Sequence, residues 1–192
     1  MCDPSFYETI NIMKRLVFSS LIGFILAGCG TETSLIIEIK SKAFSLSPPS
    51  TVVTANLCIK RIRFKTSASA TGSQVVLAEF TPKVFTLSQY GDNLGYVTLP
   101  QHGGFGRVEL DLEKDCTGST TPAVDGSVNT ADTFTTDLAT TLIFESSTAF
   151  RSFDKKSLEI DFQNIATAMS ALGSTSTQSA VRDAIQAVSG TF

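Results

Sequence analysis

Short alternating stretches separated by regular turn signals predict a mainly β chain: an antiparallel β-sandwich with two short C-terminal helices. Three observations carry that prediction. Leu35 to Lys40 and Val52 to Lys65 are rich in β-branched residues, with Leu35, Ile37 and Ile39 on one face of the first, and Phe105 to Leu112 alternates apolar with polar. Gly91-Asp92-Asn93 and Pro100-Gln101-His102-Gly103-Gly104 punctuate the chain as turns. Near the end the period changes, and Ile165, Ala168, Met169 and Leu172 recur at helical spacing. Many short strands with regular turns favour a sandwich over a parallel sheet.

In chain order, Leu35, Ile37 and Ile39 share one face of the first strand, which Ser47-Pro48-Pro49-Ser50 ends. Val52 to Lys65 is a long strand closing on Cys58-Ile59-Lys60-Arg61-Ile62-Arg63-Phe64-Lys65, and Thr66 to Ser73 is a hairpin loop. Strands follow over Gln74 to Phe80, Pro82 to Leu87 and Leu94 to Leu99. In Phe105 to Leu112, Val108, Leu110 and Leu112 alternate with Arg107, Glu109, Asp111 and Glu113. Thr117 to Thr136 is rich in Thr, Ser, Gly and Pro and reads as a surface loop with a turn at Asp125-Gly126. Strands resume at Thr140 to Glu145 and at Leu158, Ile160 and Phe162, which alternate with Glu159 and Asp161. After the first helix stops at Gly173, Val181, Ala184, Ile185 and Val188 mark a second, with Gly190 as its stop.

Fifteen Lys and Arg against eighteen Asp and Glu give a net charge of −3, without a basic patch of the kind nucleic acid requires. The chain has 14 Phe and no Trp, ample for one core. Cys58 and Cys116 are an even pair in the body, and in an oxidising compartment such a pair forms a disulfide; two buried free thiols are the alternative. One histidine in the chain and no other cysteines after Cys29 leave a zinc site short of ligands, so no metal is expected.

Charge and cysteine together argue one strand pairing. With Cys58 opposite Cys116, Ile62 faces Leu112 and Phe64 faces Leu110 on one side. On the other, Arg61 meets Glu113, Arg63 meets Asp111 and Lys65 meets Glu109, each pair worth about 0.2–1 kcal/mol. Lys60 opposite Lys114 is the one mismatch, and an inter-sheet bridge is the competing arrangement.

The N-terminal stretch locates the chain. Lys14-Arg15 precede an apolar run from Leu16 to Leu26 that is too short for a membrane span of about 20 residues but has the length and flanks of a secretory signal. Leu26-Ala27-Gly28-Cys29 then resembles, at all four positions, the lipobox of bacterial lipoproteins. The resemblance implies cleavage between Gly28 and Cys29 by signal peptidase II. It implies a diacylglyceryl group on the Cys29 thiol and, as in many bacteria, an acyl chain (palmitate) on the new amine. Two or more chains hold a protein stably at a bilayer. An uncleaved anchor or a core helix with a chance cysteine is the alternative. Gly30 rather than Asp after the cysteine points, by analogy with the enterobacterial sorting rule, to the outer membrane. Met1 to Ile12 carries Asp3 and Glu8 with no cation, against the positive-inside preference, so translation is expected to start at Met13 and Cys2 has no structural role. The expected organisation is a signal peptide helix over 1–28, a lipidated tether over 29–34, a β-sandwich over 35–162 and a helical extension over 163–192.

The body adds a second resemblance. Leu57 to Phe64, Val97 to Leu110, Ala149-Phe150 and Leu158-Glu159-Ile160-Asp161-Phe162 are similar to segments of uncharacterised bacterial envelope lipoproteins with transthyretin-like or carbohydrate-binding-module-like sandwiches. Phe105 stands where that group has Tyr, and the preceding turn carries an extra Gln-His. The resemblance implies a sandwich of the transthyretin/immunoglobulin-like kind in the cell envelope and leaves the function open.

No stretch carries a catalytic constellation. His102 is the sole histidine, in a Gly-rich turn, where a solvent-exposed side chain is a simpler reading than a Ser-His-Asp triad. Gly103-Gly104-Phe105-Gly106 lacks dinucleotide spacing and a following helix. Glu109, Asp111, Glu113 and Asp115 fall on one strand face that a basic strand can neutralise, rather than converging as calcium ligands do. Phe105, Phe134, Phe144, Phe150 and Phe153 read mostly as core, which with the absence of Trp weakens a sugar-binding platform. The expected protein is therefore a non-enzymatic envelope lipoprotein with no cofactor beyond the lipid on Cys29. Its partners are the membrane, through the anchor, and a protein or glycan of the envelope, with nucleic acid excluded. A glycan- or peptide-binding module using loops at one end of the sandwich is the first alternative; an unrecognised hydrolase is the second.

Overall fold

The long basic strand is the centre of the fold because it has strand neighbours on both sides over most of its length. The computed structural model describes residues 34–46, 52–66, 74–100, 104–129, 132–153 and 155–192. The leader with Gly28 and Cys29, the Ser47–Ser50 break, most of the 66–73 loop and His102 lie outside the described residues. In order, the strands are β1 (Ser34–Ser41), β2 (Val52–Lys65), β3 (Val75–Leu77), β4 (Lys83–Leu87), β5 (Asn93–Pro100) and β6 (Phe105–Leu112). They continue with β7 (Val124–Val128), β8 (Asp132–Thr136), β9 (Thr140–Phe150) and β10 (Ser157–Ile160). Helices α1 (Gln163–Met169) and α2 (Gln178–Gln186) follow, and β11 (Ser189–Thr191) is the last element.

Two sheets face each other, as expected of a sandwich. The smaller runs β10-β1-β5; the larger runs β11-β9-β6-β2-β7-β8, with β3 and β4 also on β2. The first half of β2 pairs β4 and β7, and its second half pairs β3 and β6. A bulge between Ile59 and Arg61 marks the change. Ile37, Ile39, Val97 and Leu99 from the smaller sheet and Ile62, Phe64, Val108, Leu110, Leu142 and Phe144 from the larger are all buried in one core. Phe162 continues that core, stacking edge-on against Phe144 at 4.9 Å. Ile165, Ala166, Met169, Val181 and Ile185 add the helices to it. The Thr177 hydroxyl caps α2 by accepting the Ala180 N–H.

Both lateral edges are stitched by single residue pairs. Glu79 and Thr98 exchange two backbone bonds of 3.0 Å between the larger sheet's margin and β5. Asp161 and Thr191 also exchange two backbone bonds, of 2.7 and 3.4 Å, where β10 meets β11.

Three expectations about loops, turns and helix ends are corrected. The 117–136 stretch is not all surface loop: β7 and β8 form a hairpin within it, and Ala123, Val124, Val128 and Phe134 are buried. Gly126 lies inside β7 rather than at a turn, because the Phe134 ring packs where a Cβ would project. Gly190 does not stop a helix; it sits in β11, pressed between Phe144 and the Asp161 carbonyl. The sheet pairing is mostly antiparallel, yet β1–β10 and β9–β11 are parallel.

The β2–β6 pairing is antiparallel with the expected faces, but its register slides by two. Ile62 faces Leu110 and Phe64 faces Val108, and Arg61 faces Asp111. Cys116 explains the slide. It stands on the turn after β6 rather than in the ladder, so direct opposition of the two cysteines is not what sets the register.

Candidate functional site

The outer face of the larger sheet carries the cations of β2 and the carboxylates of β6. Lys65 Nζ lies 2.8 Å from Glu109, Arg107 Nε 2.7 Å and Arg63 3.1 Å from the same carboxylate. Arg63 also pairs with Asp111, Arg61 pairs with Glu113 at 2.7 Å, and Arg107 reaches Glu145 at 3.0 Å. The three pairs expected from the sequence are therefore all made, now along diagonals, because long side chains span the two-residue offset. Glu109 is buried, and that burial is the strongest single influence on its carboxyl, pushing the pKa up. The Lys65 hydrogen bond and the charges of Arg63, Arg107 and Lys65 together outweigh it, so the group sits below the ordinary glutamate range. Asp115 stands apart: it has a positive φ of 56° and its carboxylate accepts the Thr121 N–H at 2.9 Å.

This face is a self-neutralising ionic layer, four cations against four carboxylates. Among the described residues, no group of three or more His, Cys, Asp or Glu is arranged to hold a metal ion.

Cys58 and Cys116 form a disulfide, with Cα atoms 5.6 Å apart. The Cys58 N–H donates to Ala123 O and its carbonyl accepts from Glu113 N–H, so one residue holds the chain leaving β6 and the chain entering β7.

A cleft of about 320 Å³ opens between the second half of β9 and β10. Phe150, Leu158 and Phe192 give it apolar walls, and Lys42, Lys155, Ser146, Thr148 and Ser157 give it polar ones. Comparison with protein-family models, with curated proteins and with solved structures returns no match to this chain.

Of the residues singled out in the sequence, the structure joins Cys58 to Cys116 and gathers Glu109, Asp111 and Glu113 under the basic strand. Phe105, Phe134, Phe144 and Phe150 are core, whereas Phe153 is 46% exposed. The cleft escaped the sequence reading. Its walls come together only because β10 pairs in parallel with β1 and β11 wedges in beside it, and neither pairing leaves a local signal.

Proposed function

We propose that this protein is a lipid-anchored lipoprotein of the bacterial outer membrane whose β-sandwich acts as a non-enzymatic structural or interaction module. The observation that carries the reading is Leu26-Ala27-Gly28-Cys29 directly after a short apolar run headed by Lys14-Arg15. The Cys58–Cys116 disulfide supports it, since such bonds persist in the oxidising envelope and are rare in the cytosol. The charged outer face supports the module reading, because its ions satisfy one another instead of converging on a reacting centre.

Growth with labelled palmitate, with and without globomycin, tests the anchor. The wild-type protein takes up label and partitions with membranes, globomycin leaves the leader attached, and Cys29→Ser abolishes labelling. Recovery of an unlipidated cytosolic protein that retains its leader would overturn the proposal.

A further inference from the structure

Arg61, Arg63 and Lys65 spend their charge on β6, but the cations between β9 and β10 do not spend theirs. Residues 151–156 read Arg-Ser-Phe-Asp-Lys-Lys. Arg151, Lys155 and Lys156 are exposed and form no ion pair among the described residues. Phe153 among them is 46% exposed. Two contacts place this segment. The Ser152 hydroxyl donates to the Pro100 carbonyl at 3.3 Å, and Pro100 lies opposite Ser34, the first residue of β1. Glu38 N–H donates to Lys156 O at 2.9 Å, and β10, parallel to β1, begins opposite Glu38. The segment therefore lies beside the first half of β1, where Ile36 is exposed on the outer face.

That end of β1 is also where the chain arrives from Cys29. Ser34 follows Cys29 by five positions, at most about 17 Å of extended chain. The other end of β1 lies about 23 Å farther along the strand. There Ser41 N–H donates to Asp92 O beside the exposed Tyr90.

We propose that residues 151–156 form a headgroup-docking loop, in which Arg151, Lys155 and Lys156 meet the phosphates of anionic phospholipids and Phe153 enters the interfacial zone. The inference rests on the Cys29 lipid, because that anchor keeps a bilayer surface within reach of this end of the sandwich. Charge selects the occupant. The chain carries −3 overall, yet this segment holds three cations against the single carboxylate of Asp154, and Glu32 in the tether leaves the balance positive. Of the next acids, Glu38 pairs with Lys40, Glu159 stands opposite the same Lys40, and Glu79 lies across β5 at Thr98. Each Lys or Arg near an anionic surface raises binding about fivefold, and an apolar ring beside such cations suits the headgroup boundary. A tethered domain needs only this modest affinity, since the anchor already supplies a high effective concentration.

The chain has no Trp, so Phe153→Trp gives a single reporter in the loop and Tyr90→Trp one at the far end. Each full-length precursor is expressed in bacteria, and the protein recovered from membranes is reconstituted into vesicles of brominated phosphatidylcholine with or without phosphatidylglycerol. The intact mass of the same sample reads the acyl chains. With phosphatidylglycerol, emission from position 153 should shift to the blue and be quenched several-fold more than without it, and salt should reverse both. Emission from position 90 should stay that of an indole in water. Adding Arg151→Gln, Lys155→Gln and Lys156→Gln to the Phe153→Trp protein should remove most of the quenching. Three results would each overturn the docking and leave the anchor standing: a lipidated protein unquenched at position 153, equal quenching at positions 90 and 153, or full quenching in the Gln variant. An intact mass without acyl chains would overturn the anchor, and the docking with it.

Discussion

Cys58 and Cys116 are bonded at the point where β2 exchanges one neighbour for the next. Above Cys58 the strand pairs β6, and below it β7, and the disulfide ties the connection between those two strands to the fork. The bridge spans 58 residues of sequence, and a loop of that size gives about 4 kcal/mol in the chain-entropy model. The Cys58→Ala, Cys116→Ala double variant should lose about that much in urea denaturation. Reductant should lower the wild-type midpoint and leave the double variant unchanged; a wild-type midpoint indifferent to reductant would show the bond absent.

Glu109 makes stability depend on acid. Its carboxyl pKa is depressed in the folded state, so its contribution is fully present above the unfolded glutamate range and is lost as pH falls through the folded value. Denaturation midpoints should therefore be level near neutrality and decline on the acid side of the ordinary glutamate range. Glu109→Gln should flatten that decline. Glu109→Ala at neutral pH leaves Lys65, Arg63 and Arg107 without their shared partner, and breaking a buried ion pair in this way costs about 3–5 kcal/mol. A full-strength acid slope in Glu109→Gln would assign the slope to other carboxylates.

Gly126 and Phe134 form a cross-strand pair in which the ring takes the place of a side chain. A Cβ on residue 126 would lie 2.5 Å from Phe134 Cζ and 2.6 Å from Thr54 O. Gly126→Ala should destabilise the protein by about 1–3 kcal/mol, the usual range for overpacking. Combining it with Phe134→Leu should cost less than the sum of the two single changes, because the smaller side chain clears part of the clash. Strict additivity in that cycle would place the strain at Thr54 alone.

These glycines also show what the sequence could and could not convey. Alternation located β1 and β6, composition and turn signals located β2 and β5, and the period near 3.6 located both helices. Charge order identified the β2–β6 ion pairs, although the register waited on a bulge at Lys60 that has no sequence mark. Asp125-Gly126 and Gly190 were misread because glycine in a turn and glycine under an aromatic ring look alike in a string of letters. The β7–β8 hairpin is built on Thr and Ser with few large apolar residues, so its burial arises from tertiary contact with β2 and α2 rather than from its own composition. The parallel partners of β1 and β9 join segments more than 40 residues or so apart, and long-range pairing of that kind is not written locally.

Gly190 decides whether the sandwich stays closed along its β10–β11 margin. Its neighbours are the Phe144 ring on one side and the Asp161 carbonyl on the other, both closer than any Cβ tolerates. That carbonyl belongs to the residue that bridges Thr191, so a methyl group at 190 must displace β11 from β9, from Asp161, or from both. Gly190→Ala should lower stability by about 1–3 kcal/mol through overpacking. The more telling readout is local. Amide exchange should accelerate at Asp161 and Thr191, where the stitch loosens, and stay unchanged at Glu79 and Thr98, which close the opposite margin independently. Equal acceleration at both margins would mean that the two stitches open only with the whole fold, and that Gly190 contributes to global stability without governing its own edge.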